Sequence, residues 1–332
     1  MGARGASDRR VAPAPKNGFQ RPMTANTKKR LPLQKRIQYR IEWAALQLLV
    51  GFGSAVPLRV LRRIGRALGW IAWRGLRARR RVVVENISRS FPDASTARVD
   101  AIGLESYQQY GMSLMEFAGF RTLSRRKLAE IVDVEGMEHI GGALSRGRGA
   151  VLFSGHFGNW ELLGALIAQS GYPLHVTDTN HSNELTHRVI TDLRVRQGMA
   201  VIAPDEPSAR MTGLLSENRL VSYLADQDAR RDGIFVEFLG RPASTVRGPA
   251  IFAIRKNCPI VPLFMIRKGI DRHLAVVESP IWPDPSLKGR EAIRDLTQRY
   301  TRVLEKYVRA HPGQYFWMHR RWKTKPAGGP WI

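Results

Sequence analysis

The stretch Ala150-Val-Leu-Phe-Ser-Gly-His-Phe-Gly-Asn-Trp-Glu161 decides how the central part of this chain folds. Its first four residues are apolar, and a run of this length predicts a buried strand. Ser154-Gly155 then favours a turn, and the apolar run from Leu162 to Ala168 predicts a buried helix. A strand, a turn and a helix in direct succession are typical of an α/β protein.

The same alternation continues along the chain. Strands are predicted at residues 149–153, 174–177, 200–202, 220–225, 260–266 and 274–277, and helices at 160–169, 184–197, 248–255 and 290–309. This pattern predicts an α/β fold with a mostly parallel central sheet flanked by helices. In such folds functional groups lie beyond the carboxyl ends of the strands, which is where His156 and Asp226 fall.

Most of the positive charge lies near the N-terminus. The chain carries a net charge of +25, and residues 1–81 contain 20 basic and 2 acidic residues, which contribute +18 of it. Such a segment seeks polyanions, meaning anionic lipid or nucleic acid. Residues 1–33 are polar and lack the apolar core of a signal peptide, so we predict a disordered basic arm. The only cysteine, Cys258, excludes an intrachain disulfide.

Residues 34–81 are predicted to associate with a membrane. The run from Ile41 to Leu58 is nearly long enough to span a bilayer, although two glycines and Pro57 argue against a span. From Leu58 to Trp73 apolar residues alternate with arginines, which is typical of a basic amphipathic helix at an interface. These arginines are Arg59, Arg62, Arg63 and Arg66. An anchor that inserts or lies flat is the favoured interpretation, and a helix packed on the protein body or bound to a partner is the alternative.

His156 and Glu161 are the candidate catalytic residues. An imidazole can take a proton near neutral pH, and a carboxylate five residues later could fix its tautomer. Because no nucleophilic Ser or Cys motif accompanies the pair, we expect direct attack by a substrate hydroxyl. Backbone N–H groups near Gly155–Gly158 are expected to hold the oxyanion. A structural histidine beside a surface glutamate is the alternative.

Further polar residues are candidates for binding substrate or phosphate, because arginine side chains match phosphate geometry. These candidates are Arg194, Arg196, Asp226, Asp228, Arg230, Arg231 and Arg247. The alternative for each is a solvated loop or helix face. His175, His181 and His187 lack the spacing of metal ligands, so no metal site is predicted. The segment Tyr315–Lys323 interleaves aromatic and basic residues, which favours packing on the body together with contact to interfacial phosphate.

Serine-hydrolase elbows, Walker loops and dinucleotide-binding glycine motifs do not occur in the sequence, which disfavours those enzyme classes. The chain instead resembles the bacterial lipid A secondary acyltransferases, the lauroyl and myristoyl transferases of the lysophospholipid acyltransferase superfamily. The resemblance extends from residue 36 to residue 326. The chain is predicted to consist of a disordered basic arm at 1–33, a membrane-anchoring helical segment at 34–81 and an α/β acyltransferase domain at 82–326. The blocks that carry it are the basic N-terminal segment, Asn86–Pro92, Ser154–Glu161, Asp226–Arg231 with Phe238–Pro249, and Tyr315–Lys323.

The resemblance implies that His156 and Glu161 are catalytic, and that Arg194 or Arg196 and Asp226 match further polar positions of the family. It implies transfer of a fatty acyl chain from acyl carrier protein to a hydroxyl of a Kdo-bearing lipid A precursor. The implied location is the cytoplasmic side of the inner membrane, with no cofactor and no nucleic acid partner. Phosphatidylinositol mannoside acyltransferases share the same blocks, so another phospholipid or glycolipid acceptor is one alternative. A non-enzymatic basic protein that binds membrane or nucleic acid is the other.

Overall fold

The computed structural model describes residues 32–178 and 182–327. The helices are α1 (Leu33–Ala55), α2 (Leu58–Ile71), α3 (Arg80–Ser90), α4 (Thr96–Ala118), α5 (Arg125–Ile131), α6 (Glu138–Leu144), α7 (Trp160–Gln169), α8 (Glu184–Arg196), α9 (Ser208–Ser216), α10 (Gly248–Lys256) and α11 (Gly289–Ala310). The strands are β1 (Val132–Glu135), β2 (Ala150–Ser154), β3 (Leu174–Thr177), β4 (Ala200–Ile202), β5 (Leu220–Leu224), β6 (Ile234–Phe238), β7 (Arg241–Thr245), β8 (Ile260–Lys268) and β9 (Arg272–Val277).

Strands of the central sheet follow the order β1-β9-β8-β2-β5-β3-β4. All neighbours in it run parallel except β8 and β9, which are antiparallel. Strands β2 and β5 are adjacent near the middle, and their register pairs Ser154 with Leu224. The predicted α/β fold with a mostly parallel sheet is therefore confirmed, and each strand that the sequence predicts is present in it.

Strand β1 and the separate β6–β7 hairpin were not predicted. Between Phe238 and Pro249 the sequence predicts only a turn at Gly240 and Pro242 and the start of a helix at Gly248. In the structure Ile234 pairs with Thr245 and Phe238 with Arg241, on either side of that turn. The proline and polar residues of β7 hide its strand character, because they resemble a loop.

Strand β2 lies between two apolar cores. Val151 and Phe153 pack in the core that includes residues of α10 and α11, whereas Ala150 and Leu152 pack in the core that includes α7. Successive side chains of a strand point to opposite faces, so a strand covered on both faces must be apolar throughout. This double burial makes β2 a rigid support for the residues that follow it.

The N-terminal segment does not form one long apolar helix. Helix α1 ends at Ala55, and Val56 is extended (φ −104°, ψ 137°) before Pro57 and the start of α2. A residue before proline avoids the helical region, which explains the break. Across residues 32–178 and 182–327, no helix is both long enough and apolar enough to cross a bilayer. The association of residues 34–81 with a membrane stays a prediction. Residues 1–31 of the predicted arm lie outside the described residues.

Helix α2 packs closely against α4 through glycines. A Cβ on Gly65 would lie 2.4 Å from the carbonyl oxygen of Gly111, and one on Gly69 would lie 2.4 Å from that of Tyr107. One face of α2 is thus packed on the protein body. Its other face exposes basic side chains and 52% of Trp70, so its contact with a membrane surface stays a prediction.

Candidate active site

The candidate site lies where β2 and β5 end side by side. Because Ser154 is paired with Leu224, His156 and Asp226 each follow two residues after a paired position. The His156 ring nitrogen Nδ1 lies 2.7 Å from Asp226 Oδ1, and the His156 backbone amide donates to Asp226 Oδ2 at 3.0 Å. These two contacts fix the imidazole relative to the carboxylate.

The surroundings of Asp226 determine which ring nitrogen is basic. Burial raises the pKa of this carboxyl, but the charge and hydrogen bonds of His156, together with the Arg321 cation, bring its pKa below the ordinary value. The ionised carboxylate can only accept, so the Nδ1 proton of His156 faces it. The lone pair then lies on Nε2, which is 3.3 Å from the side-chain nitrogen of Gln227. A neutral imidazole held in this tautomer is a competent general base.

The structure corrects the predicted contact between Glu161 and the imidazole. Arg194 of α8 binds the Glu161 carboxylate through two hydrogen bonds, at 3.0 and 2.6 Å, while Asp226 occupies Nδ1 of His156. Glu161 lies in the first turn of α7, directly after the capping residue Asn159 and the first helical residue Trp160. A catalytic contribution of Glu161 stays a prediction, but orientation of the ring belongs to Asp226.

The predicted phosphate-binding role of Arg194 does not fit its contacts. Besides Glu161, its guanidinium lies 3.2 Å from Asp178. Burial lowers the pKa of Arg194, yet these two carboxylates raise it overall. An arginine already paired with two carboxylates has little remaining capacity for a phosphate.

The other candidates occupy a loop or an exposed surface. Arg196 pairs with Asp192 at 2.8 Å, and the Asp228 backbone amide donates to His319 Nε2 at 2.9 Å. The remaining candidates are exposed, and these are Arg230, Arg231 and Arg247. Within the described residues none of these candidates hydrogen-bonds to His156, so their roles stay predictions.

Three amides that were expected to hold an oxyanion already have acceptors. The amide of His156 donates to Asp226, that of Phe157 to the Gly155 carbonyl at 2.7 Å, and that of Gly158 to the Gln314 carbonyl at 2.8 Å. An amide engaged in this way cannot also stabilise a developing charge. The expectation is therefore wrong for these three groups. The side-chain nitrogen of Gln227, which carries two hydrogens, lies 3.3 Å from Nε2 of His156.

Residues that were not predicted as site residues complete the site: Asn86 and Phe316 lie far from His156 in the sequence, and Trp160 lies four positions after it. Phe316 donates its backbone amide to the His156 carbonyl at 2.9 Å, and the ring of Trp160 meets the imidazole edge-on at 4.9 Å between centroids. The side chain of Asn86 donates to the carbonyls of Trp317 and His319, at 2.9 and 2.8 Å. The predicted packing of Tyr315–Lys323 on the body is thus confirmed, and this segment covers the imidazole.

A buried cluster of charges supports the start of α7. Glu116 accepts hydrogen bonds from Arg62 at 2.5 Å, from Arg267 at 2.5 Å and from the capping residue Asn159 at 2.6 Å, and His273 lies 3.1 Å away. Burial raises the pKa of Glu116, but Arg267 and His273 hold it well below the ordinary value. The sequence pattern placed Arg62 on the basic face of α2, and that was wrong, because Arg62 is buried in this cluster.

Gly158 lies where no other residue fits. Its φ is +58°, and an added Cβ would lie 1.6 Å from the Met265 carbonyl oxygen. We expect Gly158→Ala to lower the free energy of unfolding by about 3 kcal/mol or more, because strand β8 must move. Gly147→Ala is the matched control, since Gly147 has a φ of +68° but open space around it. Its expected loss is about 1 kcal/mol. Equal losses in urea denaturation would contradict the proposed clash.

A narrow apolar cavity of about 60 Å³ lies beneath α7. Ser154, Trp160, Glu161 and Arg194 contribute its polar lining. The apolar lining consists of Leu152, Leu163, Gly164, Ile167, Leu174, Val176, Met199, Leu224 and Leu263. Trp160 both lines this cavity and contacts the imidazole, so it is a side chain that the cavity and His156 share.

The sequence of this chain is similar to those of known protein families and characterised proteins, which gives evidence on its activity that is independent of the geometry. Residues 27–324 match the family model described as bacterial lipid A biosynthesis acyltransferase. The chain is 28% identical to the lipid A biosynthesis lauroyltransferase of Escherichia coli over 88% of this chain and 94% of that protein. It is 26% identical to the palmitoleoyltransferase of the same organism, with the same coverage. It is also 27% identical to the phosphatidylinositol mannoside acyltransferase of Mycobacterium tuberculosis, over 72% of this chain and 75% of that protein.

Proposed function

The chain belongs to the bacterial lipid A biosynthesis acyltransferase family, and from this membership we propose that it transfers a fatty acyl chain from acyl carrier protein to a hydroxyl of a Kdo-bearing lipid A precursor. The observation that carries the proposed chemistry is the pair formed by His156 and Asp226, with Nδ1 2.7 Å from the carboxylate. This arrangement leaves Nε2 as the basic atom at the carboxyl end of β2.

The proposed reaction is a single displacement. Nε2 of His156 removes the proton of the acceptor hydroxyl as that oxygen attacks the carbonyl carbon of the acyl thioester. The new C–O bond forms, the C–S bond breaks, and the thiolate of the carrier leaves with the proton from Nε2. Asp226 stabilises the imidazolium in between, and Gln227 is placed to donate a hydrogen bond to the oxyanion. In this mechanism Glu161, held by Arg194, lines the apolar cavity.

Two classes of acceptor lipid are compatible with the known relatives of this chain. Relatives named for lipid A and relatives named for phosphatidylinositol mannosides both match the chain. The lipid A relatives cover more of it, and their coverage includes the N-terminal helices. We therefore place a lipid A precursor first and another phospholipid or glycolipid second. The exposed apolar and basic face of α2 supports action at the cytoplasmic membrane surface.

Acyl transfer to a defined acceptor tests this function. The assay would combine the protein in membranes, acyl carrier protein loaded with fatty acids of several lengths, and a Kdo-bearing lipid A precursor, with mass spectrometry of the lipid. We expect one additional acyl chain on the precursor. A product with only a phosphatidylinositol mannoside or lysophospholipid acceptor would replace the acceptor, and no product with any of these lipids would overturn the proposal.

At about 60 Å³ the cavity beneath α7 has room for only a few carbon atoms, so it is the proposed site for the end of the acyl chain. Two substitutions there should change the preferred length of the acyl donor in opposite directions. A Cβ on Gly164 would lie 2.8 Å from the sulfur of Met199, so Gly164→Ala narrows the cavity. Met199→Ala widens it. We expect the first variant to prefer shorter acyl donors than the parent and the second to accept longer ones, measured as relative kcat/KM across a donor series. A shift of both variants in the same direction would contradict this assignment.

A further inference from the structure

The C-terminal segment that covers His156 also lines a second pocket, which the proposed reaction does not use. It has a volume of about 390 Å³ and is bounded by α3, by the start of β7 and by residues 320–325. We call it the basic pocket. Its charged lining residues are Arg81, Glu85, Arg89, Arg241, Arg320, Lys323 and Lys325.

The charges of the basic pocket are strongly unbalanced. Six cationic side chains face a single carboxylate, Glu85, which is 3.2 Å from Arg89. Burial lowers the pKa of Arg241, and the neighbouring Arg89 cation lowers it further. Cations that are held close together without compensating carboxylates are stabilised by an anionic ligand.

The basic pocket also contains hydrogen-bond donors that lack acceptors. Among the described residues, neither Nη1 of Arg241 nor Nε1 of Trp322 has a hydrogen-bond partner, and both atoms are shielded from solvent. Trp322 is 4% exposed, and the Arg241 guanidinium stacks over its ring at 4.1 Å. A buried donor without an acceptor is costly, so an oxygen-rich ligand that reached these two atoms would be favoured.

We propose that the basic pocket binds a phosphate monoester carried by a lipid headgroup, and that this headgroup is part of the acyl acceptor. The link between this headgroup and the acyl acceptor rests on the function proposed above. Three oxygens and a double negative charge match the donors and cations of the pocket. A concave site suits a small headgroup better than the surface of an acidic protein does. Leu76, which is 74% exposed, lies four residues before the start of α3.

Binding to vesicles tests this proposal without turnover. The parent, the double variant Arg241→Gln/Arg320→Gln and the control Arg290→Gln/Arg302→Gln would be sedimented with phosphatidylcholine vesicles that contain either phosphatidic acid or phosphatidylglycerol. The control removes the same charge from exposed positions of α11. We expect the pocket variant to bind phosphatidic acid vesicles about tenfold more weakly than the parent, whereas the control binds like the parent. Circular dichroism checks that both variants are folded.

Several outcomes would overturn the proposal. Equal losses in the two double variants would show a general effect of charge. Binding of inorganic phosphate without preference for phosphatidic acid vesicles would identify a soluble ligand instead of a lipid. A defect confined to the binding of acyl carrier protein would identify a protein surface.

Turnover then tests the link to the acceptor. With an active parent, we expect the pocket variant to raise KM for a phosphorylated acceptor about tenfold while kcat is kept. An unchanged KM would separate the pocket from the acceptor. Absence of acyl transfer by the parent would overturn the proposed function but leave the vesicle result standing.

Discussion

Replacing His156 by alanine should leave a folded protein that transfers almost no acyl chain. The side chain is 19% exposed and lies at the end of β2, so its removal leaves the packed cores intact. Loss of a general base costs about 10²–10⁴ in rate, and we expect a fall in kcat of that size. Product would be measured by mass spectrometry with saturating acyl carrier protein, and folding by thermal denaturation.

Added imidazole gives this experiment a second readout. If the ring acts as a base at the position that Asp226 and Trp160 define, free imidazole should restore part of the lost activity in the alanine variant. The parent should not respond to imidazole. Ordinary turnover of the His156→Ala protein would contradict the proposed mechanism. Among the described residues, no other side chain hydrogen-bonds to both the Asp226 carboxylate and the Gln227 side chain, so none could replace the His156 ring as the base.

Replacing Asp226 by asparagine is expected to cost nearly as much, about 10²–10⁴ in kcat. An amide nitrogen facing Nδ1 would force the proton onto Nε2, so the base would no longer present its lone pair to the acceptor. The pKa of Asp226 lies below its ordinary value, so this carboxylate is charged at neutral pH and is protonated only in more acidic solution. We therefore expect that protonation of Asp226 itself does not limit the activity of the parent between about pH 5 and about pH 8.

Glu161→Gln is the matched comparison, because it changes a carboxylate that Arg194 holds away from Nδ1. We expect a smaller loss of kcat than for Asp226→Asn. The same assay with the same donors decides between the two acids. A larger loss in the Glu161 variant would return the orienting role to Glu161 and would mean that the ring rotates when substrate binds.

Features that depend on adjacent residues could be predicted from the sequence, whereas features that depend on the order of the strands could not. The succession of β2, turn and α7 depends on adjacent residues, so the apolar pattern around His156 was sufficient to predict it. The partner of His156 depends on strand order, which places β5 beside β2 although Asp226 is 70 positions away. Spacing along one segment favoured Glu161, because it cannot show which strands are neighbours.

The burial of Arg62 could not be predicted from the sequence either. Its position among exposed arginines on α2 fits a solvated helix face, and the pattern contains no sign of Glu116 on another helix. Buried ion pairs are formed by residues that are distant in sequence, so only the packing of α2 against α4 reveals this one. The cover of His156 by Phe316 escaped for the same reason.

The contact between Arg62 and Glu116 also has a practical meaning for producing this protein. Membrane anchors are often removed to obtain a water-soluble catalytic fragment, and residue 82 would be the natural place to cut. Such a fragment would lack Arg62, and the carboxylate that holds the cap of α7 would lose one of its two arginines. Breaking a buried ion pair from one side is costly. Helix α2, whose exposed face is predicted to meet the membrane, is therefore also an internal part of the enzyme, and detergent or lipid, rather than truncation, is the route to a functional sample.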